Sequence, residues 1–507
     1  METDRASRSV FSRRRFLATT AAAAVFLTAC AGPPAKEPPT ATTAPKPAEA
    51  KPTSAPAAAP TPTPTVPPKP TVAEKPAATP TPAPAPKAPE PTPTIAVSEV
   101  GTGQKQVTFW HGLTGADGKT MSELLRLYVE ENKDIKLRQE VMGWAVFYQK
   151  FPTAVIAGTP PDMVITHEWA IAQFGSRGVL RPADDFFKDH GLPKDDFVKF
   201  AMQNATYQGK VQGVLLDVHG FGLYVNTDIL KKAGADPDKP PKTQEEFIKL
   251  AQQVTRDKNG KRPNEAGFDD KNVEVWGIHL GNIRWTPLAT IWQHGGDTVS
   301  EDGKKSLLNE EPAYKALQFW HDAIHKYKFA PVPIGFNAGD AYANARLAMW
   351  MNGSWGLNYI KDRPQLMPPV TKIWYTPQWG DKQPSTWMSA HVMAQPKQAS
   401  GEKLEASTKL ILWLSNNSIK WTLGSGQPPA RTSLQNHPDL QKSWHTSVFA
   451  KMFQEIGRVE RQHVNIVEIQ AAYEPEFSAI LAGTKPVKDA LNDAHNRIQR
   501  ILDRAGQ

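Results

Sequence analysis

The chain has 507 residues, a single cysteine and a formal net charge of +8 at pH 7. One cysteine excludes an intramolecular disulfide and any metal site built from several thiolates. Residues 1–29 carry +3, residues 31–98 carry +2 and residues 99–507 carry +3, so the long C-terminal region is nearly neutral. It lacks the basic stripe with interleaved aromatic residues that binding to nucleic acid requires.

A cluster of arginines and a short apolar run lie near the N-terminus. The run covers residues 16–29, which is too short for a hydrocarbon core that takes about 20 residues to cross. A basic region, a short apolar run and small residues in this order are typical of a secretory signal peptide. The pair Arg13-Arg14, within Ser-Arg-Arg-x-Phe-Leu, indicates twin-arginine export. Residues 1–29 are therefore predicted to be a signal peptide.

The only cysteine, Cys30, directly follows this apolar run. The segment Leu27-Thr28-Ala29-Cys30 resembles the bacterial lipobox, whose cysteine is lipid-modified and becomes the first residue of the mature chain. A lone cysteine is often a buried thiol, but this position favours lipidation. We expect an exported protein that Cys30 anchors to the outer face of the bacterial cell membrane, at the cell surface or in the periplasm.

A proline-rich segment follows the cysteine. Residues 31–94 contain 22 of the 46 prolines and no aromatic residue, so they cannot bury a core. Alternating Thr-Pro and Ala-Pro favour an extended polyproline II chain that rises about 3.1 Å per residue. Residues 30–103 are predicted to be the lipidated cysteine and a disordered tether, and the composition is compatible with an O-glycosylated stalk.

From Gln104 onward the composition is that of a folded protein, and all 15 tryptophans lie there. A region of about 400 residues exceeds the size of one hydrophobic core, so two lobes are expected. Strands and helices alternate, which favours a mainly parallel sheet covered by helices. The predicted strands are 106–110, 135–142 and 163–166, and the predicted helices are 119–131, 146–157, 243–255, 311–327, 403–415 and 487–502.

Two of these helices carry further local signals. Thr243 is followed three residues later by Glu246, the spacing of a capping box at a helix N-terminus. The last predicted helix has one apolar face, formed by Val487, Leu491, Ala494, Ile498 and Ile501. That face predicts a helix packed against the folded region.

Seven segments of the folded region form one ordered pattern: VTFWHGLTG, AGTPPDMV, GKVQGVLLDVHGFGLYVNTDILKKAG, PPKTQEEFIKLAQQVT, ARLAMWMNGSWG, GQPPAR and AGTKPVKDALNDAHNRI. The pattern resembles the family 1 extracellular solute-binding proteins, the sugar-capturing lipoprotein components of ABC importers. The resemblance implies an α/β, two-lobed periplasmic-binding-protein-like fold of type II, with a hinge and a ligand cleft between the lobes. It implies lobe 1 at 104–216 and 388–435, and lobe 2 at 217–387 and 436–507.

The resemblance also implies a sugar site. A sugar presents apolar C–H faces and a rim of hydroxyls, so its site needs flat aromatic rings with hydrogen-bonding groups at their edges. In α/β sheets such groups gather where strands end. The candidate ligand-binding residues are His111, Thr114, Glu168, Trp169, Asp217, His219, Trp285, Gly353, Ser354, Trp355 and Arg431. Gly353-Ser354-Trp355 matches the Gly-x-Trp segment of the family, whose aromatic ring stacks on the sugar. Many members have a proline before the acidic residue of the crossing segment, where this chain has Leu216.

Each candidate also has a structural interpretation. The acidic residue Asp217 fits a hinge hydrogen bond as well as a ligand contact, and Arg431 fits a cap on the preceding segment. Four tryptophans on predicted strands or helix faces are expected to pack in the core: Trp110, Trp320, Trp350 and Trp413.

The sequence predicts no catalytic residue, no cofactor and no metal ligand. His321 and His325 stand four residues apart on a predicted helix, but the glutamate of the zinc-protease pattern is missing, so a solvated helix face is expected. No nucleophile elbow, phosphate-binding glycine loop or dinucleotide-binding motif is present.

The leading hypothesis is a monomeric binding protein that captures a mono- or oligosaccharide by lobe closure and delivers it to the permease subunits of an ABC importer. A polyol, a glycerol phosphodiester or a peptide stays open as the solute. A secreted glycoside hydrolase is a first alternative, because Glu168 and Asp217 offer two carboxylates. A cell-wall carbohydrate adhesion protein on a stalk is a second.

Overall fold

The computed structural model describes residues 95–505. The predicted signal peptide, Cys30 and most of the predicted tether lie outside these residues. The described strands, in chain order, are β1 (Ala96–Val100), β2 (Lys105–His111), β3 (Ile135–Val141), β4 (Met163–His167), β5 (Thr206–Tyr207), β6 (Lys210–Val211), β7 (Val214–Asn226), β8 (Arg256–Asp257), β9 (Val273–His279), β10 (Leu347–Gly353), β11 (Thr371–Trp374), β12 (Thr386–Ala394) and β13 (Gly457–Arg458).

The described helices are, in the same order, α1 (Ala116–Glu131), α2 (Trp144–Ile156), α3 (Ile171–Ser176), α4 (Asp185–Lys188), α5 (Lys199–Asn204), α6 (Thr227–Lys232), α7 (Gln244–Val254), α8 (Trp285–Gln293), α9 (Glu311–His325), α10 (Ala338–Ala343), α11 (Leu357–Lys361), α12 (Gly401–Asn416), α13 (Ser418–Ser425), α14 (Thr432–Gln435), α15 (Pro438–Gln441), α16 (Thr446–Ile456), α17 (Ile466–Leu481) and α18 (Val487–Ala505). All predicted helices and strands are present, with their ends shifted by three residues or fewer.

One long sheet organises these elements. Its strand order is β1-β3-β2-β4-β12-β7-β10-β9-β8, with β11 paired to β7 and β13 to β12. The prediction of a mainly parallel sheet is correct for β2 with β3 and β4, and for β9 with β10. It is wrong at the centre, where β4, β12, β7 and β10 pair antiparallel. The long strands β7 and β12 run in opposite directions through the middle of the sheet, so their pairing must be antiparallel.

The first strand corrects the predicted extent of the tether. Ala96–Val100 pair antiparallel with β3, from Ala96 opposite Val141 to Val100 opposite Leu137. Without β1, β3 would present its free edge to solvent, and a short partner strand covers that edge. Residues 96–100 are therefore part of the folded region.

Three apolar cores lie around the sheet. The first lies around β2, β3, β4 and the start of β7, and the second around the end of β7 with β9 and β10. The third joins α9, α17 and α18, and it contains the whole predicted apolar face of α18. Of the tryptophans predicted to be core residues, Trp110 and Trp320 are buried, while Trp350 and Trp413 are half-buried and pack against the first core. The lobe boundaries themselves stay a prediction. None of the described helices is long and apolar enough to cross a membrane.

The predicted capping signal at Thr243 is confirmed. The Thr243 hydroxyl accepts a hydrogen bond from the backbone N–H of Glu246 at 3.2 Å. The Glu246 carboxylate accepts from the backbone N–H of Lys242 at 2.7 Å, one residue before the position that a standard capping box uses. The first bond satisfies a donor that the first turn of α7 leaves without a helical partner, and the second fixes the residue before the cap.

We expect Thr243→Ala to lower the free energy of unfolding by about 1 kcal/mol, because it removes the oxygen that caps α7. Thr243→Ser keeps the hydroxyl and serves as the matched control. Urea denaturation of the purified protein checks both variants. Equal stability of the alanine and serine variants would contradict the capping role.

Candidate functional site

The polar residues of the candidate site lie where three neighbouring strands meet. In the middle strand, His391 of β12 lies opposite His167 of β4 on one side and opposite Asp217 of β7 on the other. Directly opposite residues of adjacent strands share one face of a sheet, and so do alternate residues of one strand. His219 therefore lies on the same face as the other three side chains.

A cavity of about 270 Å³ lies at this face. Its lining comes from the loop after β2, from the first turns of α1, α2 and α8, from the segment after β10, from the central strands and from the loop after α13. The lining residues are Gly112, Thr114, Gly115, Asp117, Trp144, His167, His219, Trp285, Trp355, Trp387, His391 and Gln427.

Four tryptophans supply most of the apolar wall of the cavity. The rings of Trp285 and Trp387 stack with their centroids 4.0 Å apart and their planes 12° apart. The Trp144 ring lies nearly parallel to that of His391, at 5.7 Å. Trp355 meets the ring of His219 edge to face at 6.0 Å. Trp144, Trp285 and Trp355 are only half-buried, so they retain surface that a ligand can cover.

Two glycines allow two of these rings to lie close to the backbone. A Cβ atom at Gly112 would lie 2.1 Å from the Trp144 indole, and one at Gly353 would lie 2.2 Å from the Trp355 indole. Any other residue at either position would displace the ring. The two glycines thus leave room for rings on opposite sides of the central strands β7 and β12.

The carboxylate of Asp217 connects the polar residues. It is fully buried and accepts hydrogen bonds from Nδ1 of His219 at 2.9 Å, Nδ1 of His391 at 2.9 Å and Nε1 of Trp421 at 2.7 Å. Burial alone would raise the pKa of Asp217. The charge of His391 and these hydrogen bonds outweigh burial and hold the pKa of Asp217 well below its usual range. Asp217 is therefore ionised at neutral pH.

Burial sets the charge of the neighbouring groups. Burial, with the nearby His391, lowers the pKa of His219 to about 4. Burial opposes the charge of His391 as well, but the ionised Asp217 raises the pKa of His391 above its ordinary value. Burial raises the pKa of Asp117, and it raises the pKa of Glu168 to about 7. Burial and the Asp217 carboxylate thus shift the pKa values of polar groups in the cavity wall and next to it.

The sequence-family model described as bacterial extracellular solute-binding protein matches residues 112–417, which is more than half of the chain. The chain belongs to this family. Two curated relatives of the solute-binding protein cover most of it. The sn-glycerol-3-phosphate-binding periplasmic protein UgpB of Pectobacterium atrosepticum is 23% identical over 79% of this chain and 92% of its own length. The maltotriose-binding protein of Pyrococcus abyssi is 23% identical over 68% of this chain and 70% of its own length.

Solved structures confirm the predicted two-lobed fold of the solute-binding protein. The GacH receptor of Streptomyces glaucescens, solved unliganded and with acarbose, matches with a TM-score of 0.68 and 19% identity, over 79% of this chain and 98% of that one. The maltose/maltodextrin-binding domain MalE of Bdellovibrio bacteriovorus, bound to maltotriose, matches with a TM-score of 0.66 and 18% identity, over 78% and 100%. The family and the fold are those of binding proteins.

Four of the residues predicted from the sequence line the cavity: Thr114, His219, Trp285 and Trp355. They come from segments far apart in the chain, and the central strands bring them together. Their contact with a ligand stays a prediction.

Six further candidates lie behind the lining as buried residues. His111 accepts from the backbone N–H of Leu113 and pairs with Gln139, and burial lowers its pKa to about 3. Glu168 accepts from the Ser389 hydroxyl at 2.6 Å and from the Ala390 N–H at 2.7 Å. The other four are Trp169, Asp217, Gly353 and Ser354. None of these six is among the lining residues of the cavity.

Arg431 is not among the lining residues of the cavity. Its Nε donates to the Asp196 carboxylate at 2.8 Å. Asp196 also accepts from the hydroxyl and the N–H of Ser433 and from the Thr432 hydroxyl. The contact is structural, but it differs from the predicted cap on the preceding segment, since the ion pair and the hydrogen bonds hold the first turn of α14, which follows Arg431.

Six lining residues with functional side chains do not appear among the sequence candidates: Asp117, Trp144, His167, Trp387, His391 and Gln427. His167 and Trp144 had a usable signal, because each lies where a predicted strand ends or just before a predicted helix. The segment that became β12 carried no such signal, since no strand was predicted there. Trp387 and His391 therefore depend on tertiary pairing.

Asp196 gives a pH-dependent test of the Arg431 region. Burial opposes ionisation, but hydrogen bonds from Ser433 and Arg431 lower the pKa of Asp196 to about 2. A depressed folded-state pKa contributes stability above the unfolded value near 4, and this contribution is lost as the pH falls through 2. We expect Asp196→Asn to cost about 2 kcal/mol at pH 7 and almost nothing near pH 2.

Urea denaturation between pH 7 and pH 2 measures this difference. Asp195→Asn, at the exposed neighbouring position, is the matched control and should change stability by less than about 0.5 kcal/mol. A gap between wild type and Asp196→Asn that stays constant with pH would refute the assignment.

Proposed function

We propose that this solute-binding protein captures a carbohydrate in the cavity between the two halves of its sheet, as a monomer, and delivers it to the permease subunits of an ABC importer. The observation that carries the proposal is the set of four indole rings that line one cavity together with the polar side chains of His219, Asp117 and Gln427. Maltotriose and acarbose in the names of similar proteins support the same class of solute.

The physical fit is that of a sugar ring. The half-buried faces of Trp144, Trp285 and Trp355 can cover apolar C–H faces, and this burial contributes favourable free energy. The side chains of Asp117 and Gln427 offer carboxylate and amide groups to hydroxyls. A volume of about 270 Å³ lies near the lower end of the range for small-molecule sites, which favours a short saccharide.

The cavity also accounts for capture by closure. Trp144 follows β3 on one side of the central strand pair, whereas Trp285 and Trp355 follow β9 and β10 on the other side. A solute that touches both sides binds the closed arrangement better than an open one. That difference in affinity drives the closure of two hinged lobes.

Binding without chemistry is the better account of the cavity. Retaining and inverting glycoside hydrolases use two carboxyl groups that flank the scissile bond. Among the described lining residues, Asp117 is the one carboxylate. Glu168 and Asp217, the pair that kept the hydrolase alternative open, are both engaged in buried hydrogen bonds behind the lining.

The N-terminal segments complete the proposal. A twin-arginine signal peptide at residues 1–29 would export the chain, lipidated Cys30 would hold it at the outer face of the membrane, and the proline-rich segment would act as a spacer. These residues lie outside the described range, so only the sequence patterns support the signal peptide, the lipidation and the spacer. Mass spectrometry of the membrane fraction, with Cys30→Ala as the control, tests it: a lipid-bearing N-terminal peptide is expected in wild type only.

A melting-temperature screen of mono- and oligosaccharides, polyols and glycerol phosphodiesters tests the carbohydrate assignment. A bound ligand stabilises the folded protein, so at least one saccharide should raise the melting temperature. Trp355→Ala should then weaken the binding of that saccharide by about 2 kcal/mol, or roughly 30-fold in Kd, because a buried tryptophan contact is lost.

Trp413→Ala is the matched control for this variant. Trp413 is half-buried on α12, its indole N–H donates to Glu131, and it does not line the cavity. Its replacement should leave the saccharide affinity unchanged. A screen in which only non-carbohydrates raise the melting temperature would overturn the proposal.

A further inference from the structure

Three histidines of the cavity lie close together. His167, His219 and His391 come from β4, β7 and β12, and each exposes 5% or less of its surface. One ring nitrogen of each lies within 4.8 Å of those of the other two. The ring centroids of His219 and His391 are 4.1 Å apart, and the ring centroids of His167 and His391 are 4.9 Å apart.

One nitrogen of each ring already has a protein partner. The Nδ1 atoms of His219 and His391 both donate to the Asp217 carboxylate, at 2.9 Å each. The Nδ1 atom of His167 pairs with the Tyr148 hydroxyl. Imidazoles that bind a metal almost always have their second nitrogen fixed in this way by a carboxylate, a carbonyl or a similar group.

The remaining nitrogen of each ring is free for another ligand. Within residues 95–505, no side chain or backbone group forms a hydrogen bond with Nε2 of His167, His219 or His391. Each of these nearly buried imidazoles therefore keeps one ring nitrogen that has no partner among the described residues, and each residue lines the cavity.

The spacing suits a small divalent ion after a modest adjustment. Zinc–imidazole bonds of about 2.0–2.1 Å in a tetrahedral site place ligand nitrogens about 3.4 Å apart. From a maximum of 4.8 Å, each ring would need to move by about 1 Å or less. Imidazole nitrogens suit zinc, copper, nickel and iron, and not calcium or magnesium.

We propose that His167, His219 and His391 form a three-histidine site for a divalent first-row transition ion, Zn²⁺ in particular. The fourth coordination position faces the cavity and its tryptophans. Three protein ligands with one open position are the arrangement in which zinc accepts an oxygen of water or of a bound molecule. The ion would thus add a direct bond to the captured solute. This site does not depend on the solute being a carbohydrate.

The sequence hides the site because its ligands lie 52 and 172 residues apart along the chain. Spacing motifs for metal sites detect only ligands that lie close together in the sequence, as on one helix or one loop. The one histidine pair with such spacing, His321 and His325, lies on α9 and lines no part of this cavity. That pair supplies a matched control.

The experiment uses the full protein, freed of metal with a chelator and titrated with Zn²⁺ and with Co²⁺. Calorimetry should show one ion per chain, and Co²⁺ should give the visible absorption of a four-coordinate site. His167→Gln leaves the hydrogen bonds of Asp217 intact. It should lower the affinity for Zn²⁺ by more than the roughly 10- to 100-fold expected when a residue that only hydrogen-bonds to a metal ligand is lost. The double variant His321→Gln/His325→Gln should bind as wild type does.

X-ray absorption of the Zn²⁺ complex of the wild type gives a readout that needs no variant, in case His167→Gln fails to fold. A first shell with three imidazole nitrogens is expected. Absence of 1:1 Zn²⁺ binding by the wild type would overturn the site, and so would loss of binding in the His321/His325 variant but not in His167→Gln.

The saccharide screen, repeated with chelator and with Zn²⁺, separates this inference from the proposed function. A saccharide that binds in chelator to a protein that takes up no Zn²⁺ overturns the metal site and leaves carbohydrate capture standing. Uptake of one Zn²⁺ ion without a response to any saccharide supports the site and overturns carbohydrate capture.

Discussion

One buried carboxylate holds the centre of this protein together. Asp217 lies on β7, and it binds His391 of the neighbouring β12 and Trp421 of α13. Taking a charge out of water costs several kcal/mol, and only such a complete set of donors offsets the cost. The two strands that carry the chain through the middle of the sheet are therefore fixed to each other at the point where the cavity forms.

The cavity depends on what this fixed centre presents. On β12, Trp387 and His391 lie four residues apart and therefore face the same side. Trp285 stacks on Trp387 from α8, and Trp144 lies against His391 from α2. The central strands thus provide a floor that both halves of the sheet use. A solute bound on this floor meets side chains from each half, which is the geometry that a closing binding protein needs.

The predicted site divides into two kinds of residue. Thr114, His219, Trp285 and Trp355 line the cavity, while residues such as Glu168 and His111 do not line it and form buried hydrogen bonds instead. A sequence pattern cannot separate these kinds, because both occur at the ends of strands and carry polar or aromatic side chains. Burial and hydrogen-bond geometry separate them, since a group that spends its acceptors on the backbone has fewer left for a ligand.

The sequence by itself determined the local structure and the family. The cap at Thr243, the apolar face of α18 and the helices and strands of the first half follow from spacing over a few residues, and the ordered segments from VTFWHGLTG onward carry the resemblance to solute-binding proteins. Only the tertiary structure decided the antiparallel centre of the sheet, the burial of Asp217 and the meeting of His167, His219 and His391. These depend on the register between strands that lie far apart in the chain, and register is set by burial and pairing across the whole sheet.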